Sequence, residues 1–287
     1  MAMTIVANAF IFQENLAGGS GALSNIRSID ETRNSTSTNL LSKADILAEW
    51  HKILKINYWP IFDIARRIVE VLPSGQATDM LECLAQTAGR LLSQKLTRSH
   101  DLTGSIFQKL IVDRKFLAAF YTTPPSAALL MGLALSSKAM PTGDGWGDRD
   151  KIESLRIADF ACGTGTLLSA AYHRIAQLHE LSGGDAKKLH TKMMSQVLVG
   201  CDILPSATHL TASMLSSFYP SVRYEKSLVM TVPYGIQKDG TIALGSLDLL
   251  KAQATFDLLS IHAKAAGGTG ELQTNTWSDL PHSCFDL

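Results

Sequence analysis

Apolar positions recur at helical spacing from residue 42 onward, whereas residues 1–41 show no sustained period. Gly18, Gly19, Gly21 and the polar run at 34–39 predict a flexible N-terminal arm over 1–41. Ser42 followed by Asp45 predicts a helix start. A serine oxygen can accept from the orphan N–H groups there, and an early acid suits the positive end of the helix. Ile46, Leu47, Trp50, Ile53 and Leu54 then fall on one face. Pro60 can open a second helix, since its missing N–H costs nothing in the first turn. Its apolar stripe is Ile61, Ile64, Ala65, Ile68 and Leu72, and Pro73-Ser74-Gly75 ends it. A third helix is predicted over 78–96 and a fourth over 101–112. No strand alternation interrupts this half, so 42–117 is expected to be a helical domain. Trp50 and Trp59 are expected in the core or an interface, and Arg66-Arg67 on a solvated face.

The texture changes after residue 118. An aromatic pair, two threonines and Pro124-Pro125 lead into an apolar helix that ends near Leu135. A Gly/Asp/Pro loop over 137–152 is the clearest boundary in the chain. Beyond it come a buried strand (155–160), a helix (Thr166–Leu181) and a second helix (185–195). A strand (197–202), another helix (205–218) and a short strand (241–244) follow. Strands alternating with helices imply right-handed crossovers and a mainly parallel sheet. The expected class is therefore α/β, a Rossmann-like sheet over 118–287 preceded by an all-helical domain. The last residues, Cys284-Phe285-Asp286-Leu287, resemble the start of a further strand, so the sheet is expected to be incomplete at its C-terminal end.

Composition narrows the function classes. Lys+Arg and Asp+Glu balance at 26 each, so there is no global pull toward nucleic acid, and a DNA-binding role would need a local patch or another chain. The four cysteines are scattered with no C-x-x-C pair, which points away from a zinc site or a disulfide framework and toward a cytoplasmic protein. The N-terminus lacks the basic flank of a signal peptide, and no uncharged apolar run approaches the ~20 residues that span a membrane. Neither a metal nor a membrane is expected as a partner.

The candidate chemistry lies at three predicted strand ends. The first carries Asp159 and the turn Gly163-Thr164-Gly165. Glycines let bare backbone approach a ligand, and the unpaired N–H groups of the following helix point into the same space. The second end carries Asp202, which can accept from two ribose hydroxyls. The third carries Asp248, which can accept from an adenine amine. A dinucleotide site wants G-x-G-x-x-G and a ribose acid ≈ 20 residues on. Here Leu168 stands at the third glycine position, and the acid is 202 − 165 = 37 residues beyond Gly165. An acid just before the turn would also repel a pyrophosphate. It suits a cationic amino group, such as the methionine end of S-adenosylmethionine. A nicotinamide or flavin cofactor and a ligand-free structural turn are the alternatives.

The run DFACGTGTLL from Asp159 resembles the first motif of N6-adenine DNA methyltransferases, in particular the modification subunits of type I restriction-modification systems. The family usually has proline where Phe160 stands. FYTTPP from Phe120 is similar to that family's aromatic-Tyr-Thr-Pro motif, which closes over the methionine part of the cofactor. GCDILPSATHLTASML from Gly200 and GSLDLL from Gly245 resemble its second and third motifs. The link from helical to methylase domain is matched by the run from Asp101. The resemblance covers residues 100–287, with the motifs in family order.

It implies a class I methyltransferase sheet and a cofactor, S-adenosylmethionine, held by residues from each motif. Those implied are Tyr121, Thr122 and Thr123 upstream, then Asp159, Ala161, Gly163, Gly165 and Thr166 at the turn. Asp202 and Ile203, and Asp248 and Leu249, complete the set. It also implies DNA as partner of the complete protein, together with a specificity or restriction subunit. The family's catalytic Asn/Asp-Pro-Pro-Tyr/Phe motif, whose aromatic ring stacks on a flipped adenine, does not occur in the chain. No catalytic residue is assigned, and the 287-residue chain is expected to have no methylation activity by itself. The alternatives are a methyltransferase acting on RNA, protein or a small molecule, and an inactive chain that acts through partner binding.

Overall fold

A computed structural model describes residues 2–19, 21–35, 39–56, 58–93, 122–136, 145–224 and 226–250. Their packing divides into two units, one from residues 1–124 and 209–223, the other from 125–208 and 224–287.

The first unit is helical. Helix α1 (Ala2–Leu16) is central to it rather than part of a flexible arm. Ile5, Val6, Ala9, Phe10, Phe12 and Leu16 are buried along it. The helical period was hidden in the sequence because Ala2, Met3, Ala7 and Ile11, outside that stripe, are apolar too. Helix α2 (Ile29–Asn34) begins with a capping box, Ser28 Oγ accepting from Glu31 N and Glu31 Oε2 accepting from Ser28 N. That S-x-x-E signature was present in the sequence and unread. The described residues of the region expected as an arm are thus an ordered part of the helical unit.

Helices α3 (Lys43–Ile56), α4 (Trp59–Val71) and α5 (Ser74–Ser93) follow close to the expected spans. Ser42 Oγ accepts from Asp45 N at 3.1 Å, as the start signal required. The expected fourth helix at 101–112 lies outside the described residues. Trp50 packs tilted against Phe10 and edge to face against Phe62, with ring centroids 5.4 and 5.8 Å apart. Trp50 Nε1 donates to the buried Gln13 Oε1 at 2.9 Å, and Gln13 Nε2 donates to Arg27 O. Inside the core, then, the polar atoms of Trp50 and Gln13 answer one another.

Residues 209–223 complete this unit. His209 is buried, its Nδ1 facing the Pro60 carbonyl at 3.1 Å and its Nε2 facing Asn8 Nδ2 at 3.1 Å. A carbonyl only accepts and an amide N only donates, so the ring is neutral with its proton on Nδ1. Burial pushes its pKa down to about 4. In the second unit, His190 is likewise pushed down to about 4 by burial, with Nδ1 2.8 Å from Tyr172 Oη.

A folded pKa below the unfolded 6.5 means that protons favour the unfolded chain. The stability of each neutral histidine is complete above pH 6.5 and is lost as pH falls toward 4. The expected loss in each unit is about 2 kcal/mol between pH 7 and pH 5. Urea unfolding at several pH values measures it. Stability that stays flat between pH 7 and 5 would rule out neutral burial of these rings.

The second unit is mixed α/β. It contains α6 (Pro124–Ala134, continued from the preceding unit), α7 (Arg149–Ser154), α8 (Thr166–Leu181) and α9 (Ala186–Lys192). Strands β1 (Ile157–Asp159), β2 (Leu198–Asp202) and β3 (Leu228–Thr231) form one parallel sheet in the order β1-β2-β3. A single π-helical turn, Met193–Val197, feeds β2, and α10 (Pro205–Ser216) leaves it. The register sets Asp159 beside Gly200 and Asp202 beside Thr231. Gly200 is a packing requirement. A Cβ there would lie 2.9 Å from Leu168 Cδ1 and 3.4 Å from Cys162 Sγ, so α8 sits close against β2 only because that position is bare.

Two expectations change here. The strand at 155–160 is shorter than expected, and its Ala158 is exposed rather than buried. The third parallel strand is β3, not 241–244. Residues Ile242–Leu244 (β5) do form a strand, but they pair antiparallel with β4 (Tyr234–Ile236) in a separate hairpin. The run LVMTV is β-branched and apolar and ends at Pro233, so its strand signal was legible. Over the described residues the chain is mostly helical α/β with a small, three-stranded parallel sheet.

Candidate functional site

Three segments meet at the carboxyl ends of β1 and β2. Cys162 N donates to Cys201 O at 2.8 Å, which ties the glycine turn to the end of β2. Gly163 (φ 54°) and Gly165 (φ 83°) both adopt the left-handed conformation. Any other L-residue there would pay a steric cost of roughly 1–2 kcal/mol, from Cβ against the following carbonyl oxygen. Gly165 N donates to Cys162 O at 2.7 Å, closing the turn just before Thr166 opens α8. A Cβ on Gly163 would meet no atom within 4 Å, so the space beside the turn is open.

Two carboxylates hold this turn. Asp159 Oδ1 accepts from Ala161 N at 3.1 Å. Asp202 Oδ2 accepts from Gly163 N at 2.9 Å, and its Oδ1 accepts from Leu204 N at 2.9 Å. Burial raises the pKa of Asp159, and the charge of Asp202 raises it further, against the opposing hydrogen bond from Ala161. Between them Cys201 is fully buried, and burial with the two acids pushes its thiol up to about 12. It therefore stays a neutral core thiol, not a nucleophile.

The structure brings Asp159, Ala161, Gly163 and Asp202 together through direct hydrogen bonds. Thr166 is half-buried at the start of α8, whose first N–H groups have no partner inside the helix. Ile203 Cγ2 lies 3.1 Å from where a Cβ on Gly245 would stand, so the turn Gly245–Leu250 closes on the end of β2. Leu249 joins Val199, Cys201, Leu228 and Val232 in a core cluster. The buried Asp248, in the turn after β5, accepts through Oδ2 from Leu244 N at 2.7 Å. Tyr121 lies outside the described residues. Thr122 is half-buried and Thr123 exposed, and both fall in the helical unit.

One feature of the site was not anticipated. Thr231, at the end of β3, places Oγ1 2.7 Å from Thr208 Oγ1 and is paired in register with Asp202. Its signal was the unread strand LVMT.

Chemically the arrangement offers carboxylate acceptors and backbone N–H donors around open space. Among the described residues no group of three or more His, Cys, Asp or Glu could hold a metal ion, and no helix is long and apolar enough to cross a membrane. No protein-family model matches the chain, and no curated protein does.

Proposed function

We propose that the chain binds S-adenosylmethionine at the glycine turn and is the cofactor-binding portion of an adenine-N6 DNA methyltransferase with a class I methyltransferase sheet. The observation that carries the reading is the acid–turn–acid arrangement at two adjacent parallel strand ends. Asp159 precedes the turn, and Asp202 reaches across to Gly163 N. Ligands of open α/β sheets bind at such strand ends.

Two details favour a cationic adenosine ligand over a dinucleotide. Asp159 lies where a pyrophosphate would sit against the turn, and like charges there repel. Leu168, at the third glycine position of the dinucleotide fingerprint, is used to pack α8 against Gly200. Each Asp202 oxygen accepts one N–H and keeps a further lone pair, so the acid retains capacity for ribose hydroxyls. The order of FYTTPP, DFACGTG, GCD and GSLDLL supports DNA adenine as the methyl acceptor in the complete protein, with a specificity or restriction subunit as partner.

The test is calorimetry of the purified chain with S-adenosylmethionine, S-adenosylhomocysteine and NAD. Binding of the first two but not the third is expected. Binding of NAD in preference to both would overturn the reading.

A further inference from the structure

The glycine turn is held by two carboxylates on alternate N–H groups, Asp159 on Ala161 and Asp202 on Gly163. No ion pair among the described residues includes either acid. Among the described residues their surroundings supply no counter-charge. β2 contributes the neutral Cys201 beside Asp202. The turn contributes the buried Cys162, and residues 163–171 contain no titratable side chain. The end of β3 adds only the hydroxyl pair Thr231 and Thr208. On α8, Arg174 is directed to the Leu135 carbonyl and Gln177.

The two acids are not equivalent. Both oxygens of Asp202 accept from N–H groups, whereas Asp159 has one such donor, and its Oδ2 takes no hydrogen bond among the described residues. A half-buried carboxyl beside another carboxylate, with no cation, is the member of the pair that holds a proton more readily.

We propose that Asp159 makes ligand binding proton-linked: it surrenders a proton to solvent when a cationic ligand group arrives at the turn, so binding strengthens as pH rises through the acidic range. The inference rests on the reading of the site as one for S-adenosylmethionine. Its balance is simple. The carboxylic acid plus the cationic ligand become a carboxylate–cation pair and one released proton. The raised pKa of Asp159 is consistent with this direction.

The experiment is calorimetry of the unmodified chain with S-adenosylmethionine between pH 5 and 7, in pairs of buffers with different ionisation enthalpies. Circular dichroism at each pH confirms that the chain is folded. The amino and carboxyl groups of the ligand ionise near about 8 and 3.5, outside this window. Affinity should fall as pH is lowered from 7 to 5, approaching the limiting slope of about tenfold per pH unit that one linked proton gives. The heat should depend on the buffer, reporting a released proton.

Adenosine, which lacks both cationic groups, should bind without release. Asp159→Asn should flatten the pH dependence. Should that variant not fold, the two-buffer measurement on the unmodified chain decides. Binding of S-adenosylmethionine with equal affinity from pH 5 to 7 and no released proton would overturn the inference and leave the cofactor reading intact. An unchanged slope in a folded Asp159→Asn chain, or the same slope for adenosine, would also overturn it. No binding at any pH would overturn both.

Discussion

Asp202→Ala is expected to weaken S-adenosylmethionine binding by roughly 100-fold or more. A hydrogen bond to a charged acceptor is worth about 1.5–3 kcal/mol, and the proposed ribose contact has two of them. Each 1.4 kcal/mol is about tenfold in affinity. The substitution also strips the acceptor from Gly163 N and Leu204 N. Stability should therefore fall as well, by about 1–3 kcal/mol. Two measurements separate these effects. Thermal unfolding reports the anchor for the turn, and calorimetry on the folded variant reports the ribose contact. A lowered melting temperature with affinity within about fivefold of the unmodified chain would leave Asp202 as an anchor only, and would refute its proposed contact with ribose.

Trp50→Ala is expected to cost about 3–5 kcal/mol of stability in the helical unit. The ring is completely buried between Phe10 and Phe62. Its removal leaves a cavity, and it also leaves Gln13 Oε1 without the indole donor. Trp59, 40% exposed at the start of α4, gives the contrast. Trp59→Ala should cost no more than about 1 kcal/mol. Urea unfolding followed by circular dichroism measures both. A cost below about 1 kcal/mol for Trp50→Ala would mean that the aromatic cluster is not the centre of this core.

These two substitutions mark what a reader of the chain alone could and could not see. Trp50 lies on a clean amphipathic stripe, so its burial followed from spacing. Its partner Phe10 did not, because Ala2, Met3, Ala7 and Ile11 carry apolar character beyond the buried face of α1 and blur its period. Asp202 was singled out by its place after a β-branched strand. Its hydrogen bond to Gly163, 39 residues earlier in the chain, depends on how β1 and β2 align in register. Asp248 lies within GSLDLL as its motif led one to expect, and its Oδ2 accepts from Leu244 N, a bond set only by the fold. The expected strand beside it belongs to a hairpin with Tyr234–Ile236, outside the parallel sheet.

Sequence by itself determined the local elements with their own start and stop signals. The serine-capped α3, the proline-opened α4 and the helix Thr166–Leu181 behind its glycine turn are all set by neighbours within a few residues. It also determined the candidate chemistry, because acids and glycines at strand ends are visible as letters. Only the tertiary structure decided which strands share a sheet, which carboxylate oxygens remain available to a ligand, and that residues 1–41 contain core helices. The physical reason is range. Capping and turn geometry act within one turn of chain, whereas strand partnership, burial of the weakly amphipathic α1 and the mutual charge of Asp159 and Asp202 arise only when distant segments meet.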